Sequence, residues 1–179
     1  MGGTGTQPFS NSSGNFSGPD IQESQIVGAT LNGQAFNVAT GNAGAGNGAS
    51  GNLPFQIFNP TNSGVKLLVY SINVCSGAAS PIFLQYVTTE TAYNTSTPIT
   101  NAYLGNLTAA AFHSTYASAV VTPATGSTIG VTNFSSPGTQ DLLPSSSCLI
   151  LPPGYGLQVW SNLSAFNNWA VNLWCLQFS

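Results

Sequence analysis

The sequence predicts an all-β protein, a jelly-roll-like antiparallel β-sandwich behind an extended N-terminal arm. Three observations carry that expectation. About eight short apolar runs recur along the chain, each punctuated by Gly, Pro, Asn or Ser, as in sandwiches. Within Gly156 to Trp160, the apolar Leu157 and Val159 flank Gln158, which is the period of a half-buried strand. No segment carries a good amphipathic helical stripe. At 179 residues the chain is long enough for one domain with a real core. We assign residues 1–52 to an arm, a hairpin and a linker, and residues 53–179 to the sandwich.

Taken in order, residues 1 to 25 combine Gly, Ser, Asn and Pro with isolated Phe9, Phe16 and Ile21, with neither a strand nor a helix period. Such spaced apolar residues suit a segment that orders against a neighbour, and a frayed terminus would read the same way. Ile26 and Val27 follow, and Phe9, Phe16, Ile21, Ile26 and Val27 are the candidate assembly contacts. Asn32-Gly33, between Thr30-Leu31 and Ala35 to Val38, predicts a hairpin. Residues 41 to 52 form a Gly/Asn/Ala-rich linker.

Phe55 to Phe58 reads as a strand, the cluster Asn59 to Gly64 as a turn, and Val65 to Cys75 as a long strand expected to pair with Phe55 to Phe58. Further strands are expected at Pro81 to Thr89, Ser118 to Thr122, Cys148 to Leu151, Gly156 to Trp160 and Trp169 to Phe178. In the last, Trp169, Val171, Leu173 and Cys175 share one face, and Ala170, Asn172, Trp174, Leu176 and Phe178 the other. Both faces are apolar, which predicts a central strand or one covered by a neighbour. Ala109 to Ala111 is the one place for a short helix, and residues 123 to 147 read as a turn-rich surface excursion.

Charge narrows the function. Lys66 is the sole cation, there is no arginine, and the acids are Asp20, Glu23, Glu90 and Asp141, for a net charge of -3 with His113 neutral. General acid/base catalysis needs groups that titrate near the operating pH, and His113 alone does so unperturbed. No Gly-x-Ser-x-Gly elbow accompanies it, so a surface or hydrogen-bonded structural histidine is the expectation. Glu90 and Asp141 as a glycosidase pair would lack the further charges of such clefts, and solvated loop carboxylates explain them. No catalytic residue is assigned, and no cofactor is expected.

Phosphate binding rests on Lys and Arg, so nucleic acid is excluded as a partner. The apolar runs are strand-sized, so no membrane-spanning helix is expected. Cys75, Cys148 and Cys175 show no CxxC spacing, which argues against a metal site. They read as small apolar fillers, with a Cys75 to Cys175 bridge open if their strands are neighbours. The start, Met-Gly-Gly-Thr-Gly, has no basic or apolar signal region; either a signal was trimmed or the protein is made in a cytoplasm and leaves inside a particle. The Asn-x-Ser/Thr sequons, at Asn94 and Asn133 among others, are expected from composition alone.

A surface without charge lacks the self-repulsion that keeps soluble monomers apart. Strand edges, which proteins usually blunt with lysine, must be protected by bulges and prolines or covered by partner subunits. Contacts built from amides, hydroxyls and apolar area resist salt and pH, so the composition predicts a robust assembly. Trp160, Trp169 and Tyr155 are the candidate aromatic surface, serving either subunit contacts or stacking against a glycan.

Two stretches, Phe55-Gln56-Ile57-Phe58-Asn59-Pro60-Thr61-Asn62-Ser63-Gly64 running into Val65 to Ile72, and Leu149-Ile150-Leu151-Pro152-Pro153-Gly154-Tyr155-Gly156-Leu157-Gln158-Val159-Trp160, carry a resemblance. With the closing strand around Trp174, they resemble small β-sandwich virion structural proteins of tailed bacteriophages, of head-decoration, head-fibre, neck or tail-tip type. The likeness spans residues 53 to 178 and leaves the arm and linker outside. It departs where the pattern often places a Glu soon after the Trp, since Trp174-Cys175-Leu176-Gln177-Phe178 has no acid. The resemblance implies a non-enzymatic particle component, first of all a capsid decoration protein, forming a homotrimer or other symmetric oligomer. Its partners would be itself and a major capsid or other virion protein, with the arm as anchor. It would be made in a host cytoplasm and sit in the virion. The rival expectations are a glycan-binding module at a tail tip or fibre, and a filament or surface-layer subunit in which Ile26 to Val38 adds a strand to a neighbour.

Overall fold

The computed structural model describes residues 26–40, 54–105, 108–117, 121–143, 147–161 and 169–179. Among these residues the chain forms two antiparallel sheets packed as a β-sandwich, as the sequence predicts. The strands are β1 (Ala35–Ala39), β2 (Phe55–Asn59), β3 (Lys66–Ser76), β4 (Ser80–Val87), β5 (Thr95–Ser96), β6 (Ile99–Asn101), β7 (His113–Tyr116), β8 (Ser127–Phe134), β9 (Gly138–Asp141), β10 (Leu149–Leu151), β11 (Tyr155–Trp160) and β12 (Trp169–Phe178). Sheet A runs β10-β3-β12-β1-β6, with β9 also on β3, and sheet B runs β5-β7-β2-β11-β4-β8.

The pairing is nested. β1 lies against β12, β2 against β11, β3 against β10 and β9, and β4 against β8. Each step inward along the chain pairs with a step inward from the far end, so the chain is a long hairpin rolled into two layers. Between the layers lies one core, to which sheet A gives Phe36, Val38, Leu67, Val69, Ile72, Val74, Val171 and Leu173, and sheet B gives Phe55, Ile57, Ile82, Leu84, Leu157 and Val159. Burying each such side chain stabilises the fold by roughly 1.5–3 kcal/mol.

The core phase of β3 switches partway along, from Leu67 and Val69 to Ile72 and Val74. A bulge causes it: Cys175 pairs with Val69 and Trp174 with Ser71, which leaves Tyr70 without an opposite residue. β12, apolar on both faces, is central between β3 and β1.

Several local expectations are corrected. Residues 26–31 are helical, so Asn32-Gly33 closes a helix and not a hairpin. Gly33 takes φ 68°, its N–H bonds to Thr30 O at 2.9 Å, and Gln34 N bonds to Ala29 O at 2.7 Å, the paired bonds of a Schellman cap. The same left-handed glycine that makes Asn-Gly a hairpin turn makes it a helix stop. Ile26 to Val38 is therefore helix plus β1 and is not free to be donated to a neighbour. β1 is a strand of sheet A, so residues 35–39 of the segment assigned to arm and linker belong to the sandwich.

β2 and β3 do not pair. They lie in different sheets, and the turn between them is an arch pinned by Asn59, whose buried Nδ2 donates to Val65 O at 2.8 Å and Leu151 O at 3.0 Å. No helix forms at Ala109 to Ala111; the segment leads Phe112 into the core, edge-on to Phe36 at 5.8 Å. The strand expected at Ser118 to Thr122 is not at 121–122, residues 118–120 lie outside the described residues, and the strand here is β7. The excursion expected over 123 to 147 holds β8 and β9. Their signal is weak because β9, Gly-Thr-Gln-Asp, has no apolar side chain, and Ile129 and Val131 of β8 face solvent.

Candidate functional site

On sheet B, registered pairing lines Thr115, Gln56, Gln158, Gln85 and Thr128 up across five strands, β7-β2-β11-β4-β8. The three glutamines are buried. Gln158 uses all four of its hydrogen-bonding sites: Oε1 accepts from Tyr93 Oη and from Ala124 N at 3.0 Å, and Nε2 donates to Gln85 Oε1 at 3.2 Å and to Ala124 O at 3.1 Å. Gln85 Nε2 continues to Thr128 Oγ1 at 3.1 Å. Gln56 Oε1 accepts from Thr91 N at 2.7 Å, while its Nε2 donates to Thr89 O at 3.3 Å. The row thus fastens the segments around Thr89 to Tyr93 and Ala124 to sheet B, and burial pushes the Tyr93 hydroxyl pKa up. Its groups are spent partly on one another and mostly on loop backbone, so the row is a fastening.

His113 Nδ1 lies 2.6 Å from Glu90 Oε1, with 58% and 38% of the two side chains exposed. The pair is a surface contact, as expected of His113. Glu90 and Asp141 serve different sheets: Glu90 pairs with a residue of β7 in sheet B, while Asp141 sits on β9 opposite Asn73. Among the described residues no group of three or more His, Cys, Asp or Glu could hold a metal ion. Among the described residues no helix is long and apolar enough to cross a membrane.

Of the candidate aromatic surface, Trp169 is corrected: at 1% exposure it is a core residue of β12. Trp160 is half-buried and stacks on Phe83 at 4.5 Å. Tyr155 is exposed and lies 6.1 Å from exposed Tyr86. Tyr86 also borders a polar cavity of about 230 Å³ with Thr88, Thr125, Gly126 and Ser127. The three cysteines are free, and only Cys175 is buried. Cys75 is exposed with its Sγ 3.1 Å from Thr139 Oγ1, so it is not the apolar filler expected. Although β3 and β12 are neighbours, Cys75 sits opposite Ala170 and Cys175 opposite Val69, out of register for a bridge.

Of the candidate assembly contacts, Phe9, Phe16 and Ile21 lie outside the described residues. Ile26 is half-buried and Val27 exposed on the short helix. Beside that helix, Ala29, Gln34, Leu68, Leu176, Gln177 and Phe178 line a mainly apolar groove of about 380 Å³ on sheet A. Leu176 and Phe178 belong to the second apolar face of β12, the signal that called for a cover. Ile150, opposite Leu68, adds another exposed apolar side chain. Leu68 and Ile150 were not singled out in the sequence, where each reads as one letter of an ordinary strand.

Comparisons with protein-family models, with curated proteins and with solved structures found no match.

Proposed function

We propose that this chain is a non-enzymatic structural component of a virus particle, a capsid decoration or head-fibre or neck protein that assembles through uncharged contacts. One observation carries the reading. Among the described residues only Lys66, Glu90 and Asp141 bear a formal charge, while Val27, Leu31, Leu104, Ile129, Val131 and Ile150 stand exposed. Soluble monomers normally cover that area with charge, and a packed subunit has no need to. The nested strand order supports the jelly-roll form of the sandwich, an architecture that viral shells and lectins both use. The viral setting follows from the resemblance of the two turn-and-strand motifs, which come together at Asn59.

In this reading the partners are copies of the chain, as a homotrimer or other symmetric oligomer, and a shell protein. Synthesis is in a host cytoplasm, and the arm with Phe9, Phe16 and Ile21 is the anchor. Antibodies against residues 53–179 should label intact particles from cultures that produce the chain, and deletion of residues 1–25 should abolish that labelling while leaving the β circular-dichroism signal. Label restricted to the free protein fraction would overturn the assignment.

The Tyr86–Tyr155 pair beside its hydroxyl-lined cavity favours a second reading, a glycan-binding module of a tail tip or fibre. Replacing Tyr155 by alanine should then remove retention on a polysaccharide column without changing the oligomer.

A further inference from the structure

Among the described residues, four of the five outer strands of this sandwich are short: β5 has two residues, β6 three, β9 four and β10 three. The fifth, β8, has eight, and it ends sheet B with β4 on one side and no strand among the described residues on the other. A long edge presents a row of unpaired N–H and C=O groups, which proteins blunt with lysine, proline or inward charge. Ser127 to Phe134 has none of these, and Thr128, Ile129, Val131 and Thr132 are β-branched residues that favour an extended chain. Its one protective device is a bulge: Leu84 pairs with Gly130 and Gln85 with Thr128, leaving Ile129 unopposed.

The backbone marks which end is open. Pro81 has no N–H to give to Asn133 opposite it, so Asn133 turns its own polar groups away from β4, and Gln140 Nε2 meets that carbonyl at 3.5 Å. By alternation Val131 turns its N–H and C=O the same way, and no side chain of the described residues meets them. The Ile129 and Val131 side chains beside this stretch are 46% and 52% exposed.

We infer that β8 pairs with β8 of a second copy, antiparallel about a two-fold axis at Val131 so that the two Val131 backbones face each other, joining two copies of sheet B into one continuous sheet. The occupant is a second copy for two reasons. Ile26 to Val38, the other segment suited to strand addition, is already helix and β1. The strand itself carries no charge, so two copies can meet edge to edge about a two-fold axis without setting like charges opposite each other. This inference rests on the reading of the chain as a self-assembling subunit and narrows its partner to another β8.

Light scattering on the full chain tests it, comparing wild type with Val131→Lys and, as a control on sheet A, Ile150→Lys. The expected result is a dimer for wild type and for Ile150→Lys, with the mass halved in Val131→Lys and the β circular-dichroism signal kept. A wild-type monomer, a trimer, or a dimer that survives Val131→Lys would overturn the β8 contact. An oligomer that survives it still leaves the assembly reading standing, whereas loss of particle labelling removes that reading whatever β8 does. If Val131→Lys fails to fold, hydrogen exchange on wild type decides. Amides over residues 127–132 should gain protection as concentration rises, and concentration-independent exchange there would overturn the pairing.

Discussion

Gln158 donates its side-chain amide to Gln85 across the β11–β4 pair at 3.2 Å, with both residues buried in sheet B. The bond is one link in a row that ends on loop backbone, so the network holds loops down as well as strands together.

Gln158→Leu keeps the bulk but leaves Ala124 O and Gln85 Oε1 without a donor and the Tyr93 hydroxyl proton without an acceptor, while Ala124 N keeps its bond to Tyr93 Oη at 3.1 Å. Unpaired buried groups cost about 1–3 kcal/mol each, and partial relaxation brings the expected loss to about 3 kcal/mol in urea unfolding. A loss below about 1 kcal/mol would show that these groups reach water instead.

Asn59 is a further buried amide with a structural task. Asn59→Ala removes the donor shared by Val65 O and Leu151 O and should cost about 2 kcal/mol in thermal or urea unfolding. Asn59→Asp should cost more, because it sets a carboxylate against two carbonyl oxygens. Equal losses would mean that the arch tolerates like-sign dipoles.

Stability should fall on the alkaline side. Burial pushes the Cys175 thiol well up, and burial first, then the nearby Cys175, pushes Tyr70 to about 12; Tyr93 is raised as well. Ordinary thiols and phenols ionise near pH 8.5 and 10, so the unfolded chain gives up these protons before the folded one. Their contribution is fully present below the unfolded values and is lost as pH climbs toward the folded ones. Melting temperature should drop steadily above about pH 9. A melting temperature that holds level between about pH 9 and pH 11 would contradict this.

His113→Ala should be nearly silent, within about 0.5 kcal/mol by urea unfolding, because its contact with Glu90 is a surface pair. A larger loss would show that the pair positions β7.

The layers, the long strands and most of the core were legible in the sequence because their signal is periodic burial. Trp169, Val171, Leu173 and Cys175 share a buried face as expected, whereas β11, expected to be half-buried, is buried on both faces, Gln158 included with Leu157 and Val159. What escaped is held by groups whose role has no local signature. Asn-Gly specifies a left-handed glycine and is indifferent to whether a strand or a helix precedes it. Gln56, Gln85 and Gln158 read as outward polar letters until the register sets them in one row under the loops. Trp169 and Trp160 look alike in sequence, and only the face of their strand makes one core and the other half-exposed. β8 was hidden because an edge strand with exposed Ile129 and Val131 lacks a buried side to betray it.

The nested pairing sets an order of events during synthesis. β1 is the first of the described strands to be made, yet its partner β12 is the last of them, and β3 waits for the same strand on its other side. Sheet A therefore cannot close on a growing chain, and folding is governed by contacts between distant parts of the sequence, the kind that form slowly. A chain truncated before Trp169 leaves two apolar strands stranded together, so an incomplete translation product of this protein is a sticky fragment and never a smaller version of the fold.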